Sequence, residues 1–376
     1  MIIKSFLGIN NVADPTRLSA GEMTQATNVD IGERNDLRSR RGRTILFDGA
    51  AHSAFGTSFG TLVVVDSDLV LLDDAGTLLR TVYPALGYTR VWYDTLPDGR
   101  VAFSNGLING LVTAAETRTW GVPIPVDAGV GISGNTPYMV TYVRLSDGLE
   151  SAPLYGNRID VSENIIGLPV LGGHAINVYF APYGEAMFLA GTTATDTYVP
   201  TGGALGPQYV GSGLGRPPIG TQIHVWAGIV LVADGNVLWS TRPLQPELCD
   251  LTQDFVQLPH PITLVYGVNE GVFVGTTEGM YFLVGTAFGD LKSQSIASGP
   301  VTLGSMVEFD LSYLSKDVRP SGVDQGALCL IDSAVHLLFG GRVVALTAGR
   351  YRMVADEVVA TVRLRDGVLQ YLASPV

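Results

Sequence analysis

Charge is what this chain of 376 residues has little of: Asp, Glu, Lys and Arg together make up 15% of it, well under the roughly one quarter of an ordinary soluble domain. Basic residues are scarcest, 23 against 35 acidic ones, for a net charge of −12. That balance excludes a protein built to grip nucleic acid, because neutralising phosphates needs a basic face, although a smooth passage for DNA stays compatible with it. Cysteine is nearly absent. Cys249 and Cys329 stand alone and far apart, which excludes a disulfide framework or a cysteine zinc site and points to synthesis in a reducing, cytoplasmic setting. Long apolar runs are missing too. The best, Val225 to Ala233, has the length of a strand, so no membrane-spanning helix is expected. The opening MIIKSFLGINN carries one lysine and no sustained apolar run, and does not read as a secretory or transit signal.

What is present is glycine, proline and apolar residues in short runs. Hydrophobic residues make up 46% of the chain, with 46 glycines and 20 prolines spread along its length. This is the composition of many short strands and tight turns, with little room for long helices, and so apolar a chain with so little charge is expected to place some of its surface against other chains. Asp-Gly pairs at Asp48, Asp98, Asp147, Asp234 and Asp366 and Asn-Gly pairs at Asn105 and Asn109 lie beside apolar runs and supply the positive φ of tight hairpin turns. A two-residue loop at Asp366-Gly367 sets Leu364 opposite Leu369, Val362 opposite Tyr371 and Arg363 opposite Gln370. The same rule at Asp234-Gly235 sets Val232 opposite Val237, Leu231 opposite Leu238 and Val230 opposite Trp239, apolar on both faces, as expected of an inner hairpin covered on each side.

A loose unit recurs: a glycine, a strand, a turn and a second strand. It starts near Gly60, Gly99, Gly228, Gly271 and Gly326, and adjacent copies are spaced by about the 40 to 50 residues of a propeller blade. The interval from Gly99 to Gly228 is too wide and must hold something else. Within it, Tyr138 to Leu154, Ile176 to Thr193 and Asp196 to Pro200 read as strands of a small immunoglobulin- or fibronectin-III-like sandwich, flanked by hinges at Pro123, Pro125, the Gly-rich 202–215 stretch, Pro217 and Pro218. The expected fold is all-β, a β-propeller of five or six blades interrupted by that β-sandwich. Residues 1–48 form an N-terminal assembly segment with the first strands, 49–121 the first part of the propeller, 122–216 the insert and 217–376 the second part.

Motifs with catalytic or ligand-binding potential fail on context. Gly56-Thr57-Ser58-Phe59-Gly60 matches a nucleophile elbow, but a strand follows the serine where the elbow needs a helix, which leaves a turn before the first blade. Gly211-Ser212-Gly213-Leu214-Gly215 runs into Pro217-Pro218 and cannot open a phosphate-binding helix, so it reads as a flexible hinge. The five histidines, His52, His174, His224, His260 and His336, show no metal-site spacing. Asp66, Asp68, Asp73 and Asp74 are interrupted by apolar residues where a calcium loop needs oxygen ligands. Trp92, Trp120, Trp226 and Trp239 read as core aromatics. No catalytic, cofactor-binding or metal-ligating residue is expected, and the chain reads as a non-enzyme.

The most distinctive segment runs from Phe6 to Leu46. Five arginines, Arg34, Arg38, Arg40, Arg41 and Arg43, fall within ten residues of an otherwise acidic protein. They read either as a solvated turn or as a contact with an acidic neighbouring subunit, whose carboxylates arginine's forked donors pair in twos. The order GINN, DPTRL, GEMTQATNVDI, LRSRRGRT resembles the opening of the tail nozzle, or tail-tubular-B-like, propeller proteins of short-tailed bacteriophages. The matching positions are Gly8, Asn10, Asp14, Pro15, Glu22, Ala26, Asn28, Val29, Asp30, Arg38, Arg41 and Gly42.

The resemblance implies a structural virion protein of the phage tail, made in the host cytoplasm. Its subunits would form a homo-oligomeric ring, a hexamer, below the portal and adaptor. The ring would meet tail-fibre proteins, need no cofactor, and let viral DNA pass at ejection without binding it specifically. On that reading Arg38, Arg40, Arg41, Asp14 and Asp30 belong to a subunit interface. The chain is shorter than many nozzle proteins, so a tail-fibre-docking or receptor-binding tail protein stands beside this reading. A propeller glycosidase would instead need acidic residues converging on the central channel, and a carbohydrate-binding module would need exposed tryptophans.

Overall fold

The computed structural model describes residues 7–26, 29–31, 36–39, 50–131, 134–182, 184, 186–211, 213–314, 325–365 and 368–376. Five four-stranded antiparallel sheets dominate it, each a meander in chain order. Blade one runs Ala51–Thr57, Gly60–Val65, Asp68–Leu72 and Leu78–Tyr83, and blade two runs Trp92–Thr95, Val101–Ser104, Asn109–Val112 and Thr117–Thr119. Blade three comprises Thr221–Trp226, Ile229–Asp234, Val237–Ser240 and Phe255–Gln257. Blade four comprises Ile262–Val268, Gly271–Thr276, Gly279–Val284 and Lys292–Ser298, and blade five Val307–Asp310, Gln325–Ile331, Ala334–Phe339 and Arg342–Ala345. The first strands of blades one to four lie side by side, each against the next, and form the inner wall of a β-propeller.

The apolar character of the middle strands follows from this stacking, because alternate residues of one strand face opposite neighbouring blades. Val230 and Val232 of blade three pack toward Leu111 and Trp120 of blade two. Leu231 and Ala233, between them in sequence, pack toward Val265 and Val274 of blade four. The same layering joins blade one to two through Leu62, Leu71, Val101 and Phe103, and blade four to five through Phe273, Phe282, Ala327 and Cys329. A side chain of this size removed wholly from water contributes about 1.5–3 kcal/mol, so the blades hold one another and no single sheet stands alone.

The five repeating glycines mark the start of the second strand in each of the five blades. Gly99 and Gly228 take positive φ in the turn before that strand, with room for a Cβ at each, whereas Gly60 and Gly271 are required by a close approach. A Cβ on Gly60 would lie 2.4 Å from the carbonyl oxygen of Leu72, and one on Gly271 would lie 2.1 Å from that of Leu283, each at the far end of the third strand of its own blade. Gly56-Thr57-Ser58-Phe59-Gly60 forms the turn between the first and second strands of blade one, with Thr57 paired to Gly60; the inner strand precedes the motif rather than following it.

The C-terminal hairpin has the expected register, with Leu364 opposite Leu369, Val362 opposite Tyr371 and Arg363 opposite Gln370; Asp366 and Gly367 themselves lie outside the described residues. In blade three the turn is displaced by one residue. Gly235-Asn236 is the loop, so Val232 faces Trp239 and Ala233 faces Leu238. Gly235 takes a φ of 59° at the first loop position, which is where a type II′ turn wants glycine, and the Asn236 amide donates to the carbonyl of Leu258. Partners shift by two residues, and every side chain keeps its face. Asn109-Gly110 is no turn at all: it lies within a strand opposite Phe103, whose ring occupies the space a Cβ on Gly110 would need, 2.5 Å away.

Between blades two and three the chain builds a four-stranded sheet of Leu154–Tyr155, Tyr138–Arg144, His174–Phe180 and Phe188–Thr193. A two-stranded ladder of Ile165–Ile166 and Thr197–Tyr198 accompanies it. These share a core of their own, including Tyr138, Val140, Ile159, Ile165, Val178 and Phe180. Entry and exit are adjacent, since a Cβ on Gly121 would sit 2.6 Å from the Cβ of Arg216. The exit is a docked strand, not a free hinge: Leu214–Gly215 pairs with Cys249–Asp250 of the blade-three loop.

After blade five, Val358–Arg365 and Val368–Pro375 form a hairpin packed on Leu328, Leu330 and Leu337 of that blade. Its first strand also lies against Val307–Asp310, the first strand of blade five. The N-terminal segment meets the hairpin where Asp30 pairs with Arg363, and meets the stretch before it where the Asn11 backbone N–H donates to the carbonyl of Arg350 at 2.9 Å and its side-chain amide to that of Arg352 at 2.8 Å. Among the described residues no ladder joins the N- and C-terminal strands, and Val29–Ile31 pairs with Leu37–Ser39.

Candidate functional site

Of the residues expected at a subunit interface, Asp14, Asp30 and Arg38 lie among the described residues. Asp14 caps a short 3-10 helix, accepting from the amide and hydroxyl of Thr16 at 2.9 and 2.7 Å, and these bonds hold its carboxyl below the usual carboxylate range. Asp30 is buried and paired with Arg363. Arg38 lies opposite Asp30 in the ladder, with its exposed guanidinium against Asp36 at 2.5 Å. Arg40 and Arg41 lie outside the described residues.

Two clusters assembled from distant parts of the chain were not visible in the sequence. The first is a clasp between the insert and the propeller. Glu247, in the loop after the third strand of blade three, is 8% exposed at its side chain and meets Arg100 and Arg118 of blade two and Arg144 of the insert. Arg144 also holds Asp147 at 2.6 Å, and Arg100 holds Asp98 at 2.7 Å. Three guanidinium groups thus face three carboxylates. Burial pushes the Glu247 carboxyl up, but its bonds from Arg144 and Arg100 outweigh this and hold it below its ordinary range. Trp120 adds a neutral tie, its Nε1 donating to the carbonyl of Pro246 at 2.6 Å. A cleft of about 320 Å³ opens beside the clasp, lined by Arg144, Asp147 and Leu149 of the insert and by Gln245, Pro246 and Leu248 of the loop. Each of the three guanidinium groups is paired with the Glu247 carboxylate, which suits fixing the insert's orientation better than gripping a ligand.

The second cluster lies on the inner wall. Nδ1 of His224, on the first strand of blade three, is 3.4 Å from Oδ2 of Asp94 in blade two and 3.6 Å from Oε1 of Glu308 in blade five. Its ring also lies against Tyr266 of blade four, with centroids 5.7 Å apart. Burial raises the Asp94 carboxyl above its usual range, against the pull of His224 and of the amides of Val225 and Thr95. Glu308 is raised too, by burial first and then by Asp94, with His224 opposing. The five inner strands, AHSAFGT, WYDT, TQIHVW, ITLVYGV and VEFD, contain no lysine or arginine. A signal existed in each chain position, a polar residue on a first strand, but nothing in sequence spacing says which first strands meet across an axis. Among the described residues no group of histidine, cysteine and acidic side chains is arranged to hold a metal ion.

No family model matches the chain, and no curated protein does. Among solved structures it is similar to a streptogramin B lyase, with 9% identity over 86% of this chain and 90% of that one and a TM-score of 0.34. It is likewise similar to virginiamycin B lyase from Staphylococcus aureus, with 9% identity over 80% and 85% and a TM-score of 0.31. At such scores the likeness adds nothing to what the blade topology establishes, which is an all-β propeller.

Proposed function

We propose that this protein is a structural subunit of the tail nozzle of a short-tailed bacteriophage, a ring below portal and adaptor through which DNA leaves. The observation that carries the reading is the N-terminal segment. Its order of motifs resembles the openings of nozzle proteins, and its described part lies outside the blades, held to the C-terminal part of the chain at Asn11 and Asp30 and presenting the exposed Arg38. A propeller with an insert fixed by a charge-balanced clasp supports the same role, because a conduit needs rigid subunits joined by cyclic, head-to-tail contacts. The acidic inner wall, crossed by His224, supports a DNA path between subunits rather than along the axis of one propeller. Docking of tail fibres would fall to the insert.

The test is negative-stain electron microscopy of the purified chain with its portal and adaptor, together with antibody labelling of virions. Rings at the distal tail are expected. A chain that stays monomeric with those partners and is absent from labelled tails would overturn the reading.

One observation favours a glycosidase, the approach of Asp94 and Glu308 on the inner wall. Against it, the His224 ring nitrogen lies within 3.6 Å of both carboxylates and fills the place where a glycosidic oxygen or attacking water would have to sit. Chromogenic glycosides hydrolysed by the wild type and not by Asp94→Asn would reverse that choice.

A further inference from the structure

We propose that His224 is a proton-operated brace across the axis of the propeller, joining blade two to blade five when its imidazole is protonated and releasing them when it is neutral. The inference does not depend on the tail reading. Its basis is geometric. Asp94, His224 and Glu308 stand on the first strands of blades two, three and five, so the contact between His224 and Glu308 joins first strands of two blades that are not consecutive in the chain. One ring nitrogen faces both carboxylates, at 3.4 and 3.6 Å, and a neutral ring can donate that nitrogen's hydrogen to only one of them. An imidazolium satisfies both by charge.

Among the described residues, the neighbouring inner strands carry no lysine or arginine to substitute for the imidazole. Blade four contributes Tyr266, which is buried and whose hydroxyl is pushed up by burial and by Glu308. Blade one contributes His52, which bonds Ser53 at 2.8 Å and has Arg90 as its charged neighbour. Arg90 itself is engaged by Glu357 at 2.9 Å. Asp310, on the same strand as Glu308, accepts from the amide of Ser312 at 2.7 Å. The backbone amide of Val225 donates to Asp94 at 2.6 Å, which anchors that carboxylate whatever the state of the ring, so the freer arm is Glu308, 53% exposed at its side chain.

The direction with pH follows. As pH rises and the imidazole loses its proton, the attraction disappears and two carboxylates remain close together on one inner wall, which loosens the first strand of blade five. As pH falls, the brace is lost again once Asp94 and Glu308 are protonated, and burial makes both do so earlier than ordinary carboxylates.

Hydrogen exchange of the full chain, corrected for intrinsic rates and followed by mass spectrometry at about pH 6 and about pH 8, tests this. In the wild type, peptides covering Val307–Asp310 should exchange roughly fivefold faster at the higher pH, the size expected for a partly solvated charge pair. The contrast should vanish in His224→Gln and shrink in Glu308→Gln, and persist in His336→Gln, whose ring bonds the carbonyl of Ala334 elsewhere in blade five. If His224→Gln does not fold, Glu308→Gln decides, since a neutral amide keeps the shape of a half-exposed side chain. Equal corrected rates at both pH values in the wild type, or an undiminished contrast in Glu308→Gln, would overturn the proposal.

Discussion

Glu247 shows what a single residue does here. Its carboxylate is enclosed by Arg100, Arg118 and Arg144, and neutralising it leaves three guanidinium groups facing only Asp98 and Asp147, at a cost of about 1.5–3 kcal/mol for the charged hydrogen bonds lost. Glu247→Gln should lower the free energy of unfolding by about that amount in urea titrations; a loss below about 1 kcal/mol would mean that the arginines reorganise freely. Because the folded-state carboxyl is held below its unfolded value, its contribution is fully present above the ordinary carboxylate range and declines as pH falls through the depressed one. Acid should therefore weaken the insert's attachment in the wild type, and Glu247→Gln should remove that part of the pH dependence. Gly271 is a second case. Alanine there meets the Leu283 carbonyl at 2.1 Å, backbone that cannot step aside, so Gly271→Ala should lower the thermal midpoint, with a loss of about 1–3 kcal/mol. The importance of that glycine was legible as a repeat. That of Glu247 was not, since its three partners lie 103 or more positions away.

At the scale of elements, the C-terminal hairpin is the sharpest case. Its register followed from the turn rule alone, because a two-residue loop leaves one pairing that keeps apolar side chains on one face. Its role did not. The hairpin covers Leu330 and Leu337 of blade five, and the Tyr371 hydroxyl donates to the carbonyl of Ser305 at 2.7 Å. Deleting Val358 to Val376 should expose that apolar face and an unprotected sheet, giving aggregation on gel filtration and loss of cooperative melting by circular dichroism. A truncated chain that melts as the full one does would show that blade five stands without it. The displaced turn at Gly235-Asn236 marks the limit of the local rule: two neighbouring pairings both preserve the faces, and a bond from Asn236 to Leu258 in the following loop selects between them.

For the molecule as a whole, the adjacency of Gly121 and Arg216 predicts that residues 123–213 can be replaced by a short Gly-Ser linker with the propeller still folding, since both chain ends stay where they are. The product should keep a β-type circular dichroism spectrum and melt cooperatively, at a lower midpoint because Arg144 and Asp147 leave the clasp; failure to fold would make the insert part of the propeller's core. On the tail reading, exchanging Arg38, Arg40 and Arg41 for glutamate should leave melting unchanged, because Arg38 is exposed and pairs locally with Asp36, yet block incorporation into tails. Normal infectious particles carrying the triple variant would reduce the cluster to a solvated turn.

The sequence by itself determined the all-β class, the recurring blade unit and the pairing of the last hairpin. Each follows from composition, period and turn chemistry acting over a few residues. Tertiary structure alone decided which strands form the inner wall and what meets there. Asp94, His224 and Glu308 come from three blades, and Glu247 draws arginines from a blade and an insert. Such groups converge only when the sheets close around an axis, because the position of a blade in the ring depends on packing between faces and leaves no trace in spacing along the chain.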